Sequence, residues 1–556
     1  MSVPRVRISP SPPLTRAPGR FGVAFLVVAL AARLLSVDAF AAPAPAKTPA
    51  FDDPPGNLAP TDAKLDDVIA RMHVANAPPT TPYREQWTIE KDGLTGTITV
   101  IGAGRDYRQD VQLGPFYESY GEIRGVQWRS NANAQVVLTT GVHERDAITR
   151  ELLSKQHLEP GDGVSVIGED VSRKAIVLQA APPDGRKEWL FIDVASGRIV
   201  RTEGIFARQR LVTEYSDFRP EGALTFAHRI TWALPDGTDA VSETLASHAE
   251  GAVAGDLTQP TASRQLIDFP DGATRVDIPA TFVGNYVVVR ITIAGRGLDC
   301  LLDSGAEAIF LNAKVASQLH LPSYGGSSQV VAGPVKLSRT IVPEIDVGTL
   351  TMRNIAVSTF PGDMHMTSDI EAVGLLGFDF INGAVIHVDY EHRKVEAIRT
   401  DAFRPETVTN VFAVPAALDD GVPLVPIKVG ETISPRFIVD TGSYFSMIYP
   451  RFVIAHPDDV VDVRGAQHTG TRLVLGRAIG SFLLLVPTEL KSLRLGLTDF
   501  VNVMAMRPLN GGNIQGDDYD GLIGSSLLRY FDVYFDYPHH RIVFAANTLF
   551  RKSMRH

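Results

Sequence analysis

Residues 436–443 read Arg436-Phe437-Ile438-Val439-Asp440-Thr441-Gly442-Ser443, and residues 299–306 read Asp299-Cys300-Leu301-Leu302-Asp303-Ser304-Gly305-Ala306. Each is an apolar strand running into an Asp, a small hydroxyl residue and a Gly. A single Asp-Ser/Thr-Gly triplet is ordinary turn chemistry. Here each triplet is tied to a second motif at a similar distance. Gly377, which closes Gly374-Leu375-Leu376-Gly377, lies 74 residues after Asp303, and Gly524, which closes Gly521-Leu522-Ile523-Gly524, lies 84 after Asp440. From each of these glycines it is 12 residues to an Asp-Tyr pair, Asp389-Tyr390 or Asp536-Tyr537, with a basic turn and an apolar strand next in the chain. Two motifs in one order at similar spacing mark an internal duplication of a unit of somewhat over about 100 residues.

Both copies resemble lobes of the aspartic peptidase clan, in which each lobe gives one Asp-Thr/Ser-Gly loop and a later apolar-apolar-Gly segment that packs beneath it. In retroviral proteases two identical chains complete the site, and in pepsin-like enzymes two lobes of one chain do so. This chain carries both lobes in tandem, so it resembles the pepsin arrangement built from short, retropepsin-sized lobes over roughly residues 275–550. The resemblance implies Asp303 and Asp440 as a catalytic pair. It implies that Ser304 and Thr441 bond across a pseudo-twofold axis, with Ala306 and Ser443 as small residues on the cleft floor. Leu375, Leu376, Gly377, Leu522, Ile523 and Gly524 are packing beneath the loops.

The chemistry explains the residue types. Two carboxylates held a few ångströms apart cannot both ionise cheaply, so the pair shares one proton. One carboxylate then takes a proton from a water between them while its protonated partner polarises the scissile carbonyl. Gly305 and Gly442 let the backbone approach a carboxylate with no side chain in the way. This chemistry needs no metal and no cofactor.

Working outward, the lobes are read as residues 276–400 and 401–556. The first opens with the hairpin from Tyr286 through Gly295 into the Asp303 strand, continues with a short helix over Phe310 to Leu319, and has a flap candidate at Gly325 to Ile341. Tyr324 lies close to that flap. The second repeats the plan, with a flap candidate at Gly465 to Phe482. Residues 251–275 read as a linker. Residues 62–250 alternate apolar and polar positions in runs bounded by Gly, Asp and Asn, with a short helix at Leu65 to Met72 ahead of them. The fold class is therefore mainly β: tandem acid-protease-type barrel lobes preceded by an antiparallel sheet curled around a helix. That first domain resembles the incomplete barrel of periplasmic lipoprotein carriers. Its Trp128, His143, Glu144 and Asp146 form no catalytic spacing.

At the start, Arg5, Arg7, Arg16 and Arg20 precede an uncharged run of 12 residues, Phe21 to Ala32, and Ala39-Phe40-Ala41 offers a small-x-small cleavage site. This reads as an export signal over residues 1–41, then a flexible Ala/Pro-rich lead-in over 42–61. The run is too short to span a bilayer comfortably, which leaves no stable membrane span once the signal is removed. A retained anchor reaching Ala42 is the alternative, and Arg33 argues against it.

The 556 residues have room for three or four domains, and 44% hydrophobic with 21% charged is globular composition. A formal charge of −10 disfavours nucleic-acid binding, which needs clustered Lys and Arg. The single cysteine, Cys300, excludes an intrachain disulfide framework and reads as a core residue. His387, His392, His539 and His540 read as polar surface rather than metal ligands, and Asp389 and Asp536 as turn residues. Asp517, Asp518 and Asp520 read as a solvated loop. Two functions from different classes remain: an exported aspartic endopeptidase, periplasmic or secreted and monomeric, acting on a peptide or protein substrate; or a cell-envelope binding or scaffold protein that uses the same double lobe without turnover.

Overall fold

The structure is a computed structural model. It describes residues 5–7 and 53–553, except short segments at 77–80, 139–141, 154, 156–157, 160, 207–208, 222–223, 252–256, 261, 331–333, 363, 368–369, 463–473, 479–480 and 509–518. Most of the export signal and lead-in, part of the second flap candidate, and Asp517 and Asp518 lie outside the described residues.

The chain is mainly β. Alternating burial drives the first sheet: in Tyr83–Lys91, Gln86 and Thr88 face outward while Trp87 and Ile89 are buried. Thirteen antiparallel strands make up this sheet between Tyr83–Lys91 and Val241–Glu250, and the first and last of these pair to join the two halves of the meander. The helix Leu65–Ala75 presents Val68, Ile69 and Met72 to Ile176, Leu178, Leu190 and Ile192 on one face of that sheet. On the other face Ala175, Val177, Trp189 and Phe191 pack together, so these central strands are apolar on both sides.

The two copies fold alike. In lobe 1 the strand order is Leu350–Phe360, Phe310–Asn312, Gly374–Leu376, Arg296–Leu302, Tyr286–Ile293, Pro334–Val347, and pairing of the last with the first closes the barrel. Lobe 2 has the same order with Thr498–Pro508, Met447–Ile448, Gly521–Gly524, Thr432–Asp440, Val422–Val429 and Ser481–Leu495, closed in the same way. In each lobe the strand that delivers the Asp runs parallel to the apolar-Gly strand. Leu301 pairs with Leu375 and Leu302 with Leu376; Ile438 pairs with Leu522 and Asp440 with Gly524.

A six-stranded sheet joins the lobes, in the order Arg275–Ile278, Lys394–Ile398, Val385–Asp389, Phe531–Asp536, Arg541–Ala546, Val411–Pro415. Its middle pair is antiparallel, with Ile386 opposite Phe535 and Val388 opposite Val533. His387 and Tyr534, each ten residues after its lobe's glycine, face one another, so exchanging the two copies maps this register onto itself. Their rings stack with centroids 4.0 Å apart and planes 2° from parallel. One hydrophobic cluster runs through both lobes and takes in Val137 from the first sheet.

Three sequence readings change. Phe310 to Leu319 is not all helix: Phe310–Asn312 is a strand, and the Asn312 side chain then accepts from the amides of Lys314 and Val315 to start the helix Ala313–Gln318. Residues 251–275 are not only a linker, because Ile267–Asp268 pairs with Met352 and Thr351 at the edge of lobe 1 and Arg275 begins a strand of the joining sheet. The end of the lead-in is fixed, since Ala59 and Glu169 exchange backbone hydrogen bonds of 2.9 and 2.8 Å.

Candidate active site

Asp303 and Asp440 stand at the ends of their strands, where parallel pairing with the apolar-Gly segments stops and the chain must turn. The Asp303 amide donates to the Leu376 carbonyl at 3.0 Å, which fixes the backbone beneath the first carboxyl group. Gly377 and Gly524 permit the turn to sit directly on that segment. A Cβ on Gly377 would lie 2.5 Å from the Ala306 carbonyl oxygen, and one on Gly524 would lie 3.0 Å from that of Ser443. Leu375, Leu376, Leu522 and Ile523 are all buried.

Four reciprocal hydrogen bonds lock the loops together. The Ser304 hydroxyl donates to the Val439 carbonyl at 2.7 Å and accepts from the Thr441 amide at 3.0 Å. The Thr441 hydroxyl donates to the Leu302 carbonyl at 2.7 Å and accepts from the Ser304 amide at 3.0 Å. Both hydroxyl residues are fully buried, so these bonds are not exchanged with water.

The same bonds bring each glycine against the other lobe's carboxyl group. A Cβ on Gly442 would sit 2.5 Å from Asp303 Oδ1, and one on Gly305 would sit 2.9 Å from Asp440 Oδ1. The carboxyl groups themselves are hydrogen-bonded to each other. Asp440 Oδ1 also accepts from the amides of Gly442 at 2.8 Å and Ser443 at 3.1 Å, while Asp303 Oδ1 accepts from that of Gly305 at 2.9 Å. Burial, and then the charge of Asp440, hold Asp303 well above the ordinary carboxylate range. Burial raises Asp440 as well, but the hydrogen bond from Asp303 and the three loop amides of Gly442, Ser443 and Gly305 favour its ionised form. Both acids are thus shifted upward together, and the protons they hold belong to the pair. Ala306 is buried, and Ser443, half-buried, donates its hydroxyl to the Phe445 carbonyl at 2.8 Å.

Three tyrosines feel the charge of this pair, and sequence reasoning assigned none of them to it. Tyr537 is fully buried and its hydroxyl donates to the Ser304 carbonyl at 3.3 Å. Burial, then the charges of Asp303 and Asp440, raise its pKa well above the usual value. Tyr390 is its counterpart in lobe 1, and Asp440 adds to the upward shift that burial causes there. Tyr286 is pushed up to about 12 by burial and then by Asp440, and its ring lies 5.9 Å from that of Tyr444. The signal for the first two was present: the Asp-Tyr pair is itself repeated. Tyr324, beside the first flap, instead meets Phe116 of the N-terminal sheet edge-on at 5.6 Å.

The other titratable candidates sit away from the pair. Asp389 and Asp536 each hold a histidine three residues on, His392 at 2.7 Å and His539 at 2.6 Å, and Asp536 also binds Arg541 at 2.6 Å. His387 contacts Glu396 at 2.9 Å, and Asp520 accepts from the Ser434 hydroxyl at 2.6 Å. Among the described residues no three His, Cys, Asp or Glu side chains converge as metal ligands. Burial pushes the Cys300 thiol up to about 12. Trp128 is buried in the first sheet, and residues 143–146 fall on the helix Val142–Leu153.

Residues 289–380, within lobe 1, match the family model described as aspartyl protease. No curated protein matches the chain. Solved structures similar to it include an aspartic proteinase from Irpex lacteus, 14% identical, covering 49% of this chain and 98% of that one with a TM-score of 0.31. A DUF1329 family protein from Desulfovibrio piger ATCC 29098 is 14% identical and covers 34% of this chain and 93% of its own, with a TM-score of 0.26. A putative outer membrane lipoprotein-sorting protein domain from Vibrio parahaemolyticus is 10% identical and covers 34% and 95%, also at 0.26.

Proposed function

We propose that this chain, which carries an aspartyl protease-like domain, is an aspartic endopeptidase whose two acids, Asp303 and Asp440, act on one water. The observation that carries the reading is the hydrogen-bonded carboxyl pair at the junction of two loops locked by reciprocal Ser304–Thr441 bonds. Asp440, ionised, takes a proton from a water held between the acids. That water attacks the scissile carbonyl, whose oxygen accepts a hydrogen bond from protonated Asp303. Collapse of the tetrahedral intermediate transfers a proton to the leaving amine and restores the shared-proton state.

Because one chain supplies both half-sites, a monomer is sufficient, with a peptide or protein as substrate. Export belongs to the same proposal and rests on the arginines ahead of the apolar run Phe21 to Ala32. Among the described residues no helix is long and apolar enough to cross a membrane.

The test is cleavage of an unfolded protein or a peptide library between about pH 3 and pH 8, with a statine-type transition-state mimic as inhibitor. Asp303→Asn and Asp440→Asn should each abolish turnover while the protein still unfolds cooperatively. A folded wild type that cleaves nothing across that range would favour the non-catalytic binding protein.

A further inference from the structure

Beside the acid loop, lobe 1 and the N-terminal sheet enclose a cavity of about 300 Å³. Glu307 and Ala308, which continue the Asp303 loop, form part of its wall, as do Leu337 and Arg339 of the first flap strand. The opposite wall comes from the N-terminal sheet and includes Phe116, Glu118, Arg129 and Asn131. Glu307 lies four residues beyond Asp303, so their Cα atoms are at most about 14 Å apart. An extended peptide advances about 3.3 Å per residue, which brings a side chain within about four positions of the scissile bond into reach of Glu307.

Several charged groups of this wall are already engaged. Arg339 lies over the Phe116 ring at 3.9 Å and pairs with Glu118 at 2.5 Å. Arg129 pairs with Asp420 at 2.5 Å. Asp379 accepts from Asn131 at 2.8 Å, and Asp92 accepts from the Gly326 amide. Glu307 alone among the lining carboxylates makes no hydrogen bond or close ion pair among the described residues; it feels the charge of Arg129 only at longer range, and it is exposed. Four carboxylates, Asp92, Glu118, Glu307 and Asp379, line the cavity against Lys91, Arg129 and Arg339, with Asp420 adding a fifth negative charge behind Arg129. Leu113, Phe116 and Leu337 supply apolar wall suited to an aliphatic stem.

We propose that this cavity is a substrate side-chain pocket, built jointly by lobe 1 and the N-terminal domain, that takes a Lys or Arg of the peptide with Glu307 as its specificity-determining carboxylate. The inference rests on the peptidase reading of the lobes and adds a role for the N-terminal domain as a wall of the cleft.

The experiment separates the two. Binding of N-acetylated peptides to the full-length Asp440→Asn protein is measured by fluorescence polarisation, with Lys or Arg against norleucine or citrulline at each position in turn. At one position the basic peptide should bind about tenfold more tightly, an advantage that salt reduces and Glu307→Gln removes. Glu307→Lys should turn the preference toward an acidic residue at that position, which keeps the test independent of any small loss of stability. On the wild-type background Glu307→Gln should lower kcat/KM for the basic peptide about tenfold and leave the neutral one unchanged. Absence of a basic preference at every position, or its persistence in Glu307→Gln, overturns the pocket whether or not the wild type cleaves. A preference that depends on Glu307 in a wild type without turnover upholds the pocket and sinks the peptidase reading. If free but not acetylated peptides show the preference, the pocket binds a chain terminus and the side-chain assignment is overturned.

Discussion

At the residue scale the site depends on contacts that leave no spare room. Gly442→Ala would push a methyl group to within 2.5 Å of Asp303 Oδ1, so the two acids must separate. Peptide cleavage should fall by about 100-fold or more, since a misplacement of about 1 Å costs that much, and single-turnover kinetics will show whether the loss lies in chemistry. Thr441→Val keeps the shape but strands two buried groups, the Leu302 carbonyl and the Ser304 amide. It should cost about 2–4 kcal/mol in urea unfolding, and Thr441→Ser should recover most of it. The pH profile of cleavage should be bell-shaped. Activity falls on the acid side as the pair takes up a second proton and on the alkaline side as it loses the first.

The sheet that joins the lobes has its own titration. Asp389 and Asp532 stand directly opposite each other at the end of the central pair of strands. Burial, and then the charge of Asp389, push Asp532 up to about 6, above the unfolded value of about 3.9. A carboxyl group raised in this way binds more protons folded than unfolded, so its stabilising contribution is complete below about pH 4 and is lost as the pH rises through about 6. Asp379, raised to about 6 by burial, acts in the same direction. Glu396, lowered chiefly by its hydrogen bond to His387, acts oppositely and sets the acid limit. The melting temperature should therefore be higher near pH 5 than near pH 7.5, and Asp532→Asn should flatten that difference in a pH series of thermal melts.

For the whole molecule, the N-terminal sheet is fastened to the lobes by a short run of its own chain. Asn133 donates to the Ala356 carbonyl at 2.9 Å and accepts from the Ala356 amide at 2.7 Å, as a strand neighbour would. Gln135 accepts from Asn382 at 2.9 Å, Asn131 holds Asp379, and Val137 enters the lobes' core. Asn133→Ala should remove about 1–3 kcal/mol of docking energy and split a single unfolding transition into two, as calorimetry would reveal. Detachment of this domain would open the cavity beside Glu307 as well as lower stability.

The duplication, the strand-then-Asp-Gly loops and the apolar-Gly segments are local patterns, and the sequence alone determined them: an apolar run ending in a turn forms the same strand end wherever it folds. Repetition at matched distance then gave the two-lobed, mainly β plan. The repeated Asp-Tyr pair marks Tyr390 and Tyr537 as equivalent but does not say which loop they lie beneath; Tyr537 reaches Ser304 across 233 positions of chain. Asn131, Asn133 and Arg129 carry no local sequence signal, because the groups they bind are brought to them only when two domains meet. Proximity between distant segments, and with it the pairing of the two carboxyl groups and the cavity wall, is a property of closed barrels and docked sheets. Only the tertiary structure decided these, since burial and charge act through space while sequence patterns report only a residue's nearest neighbours.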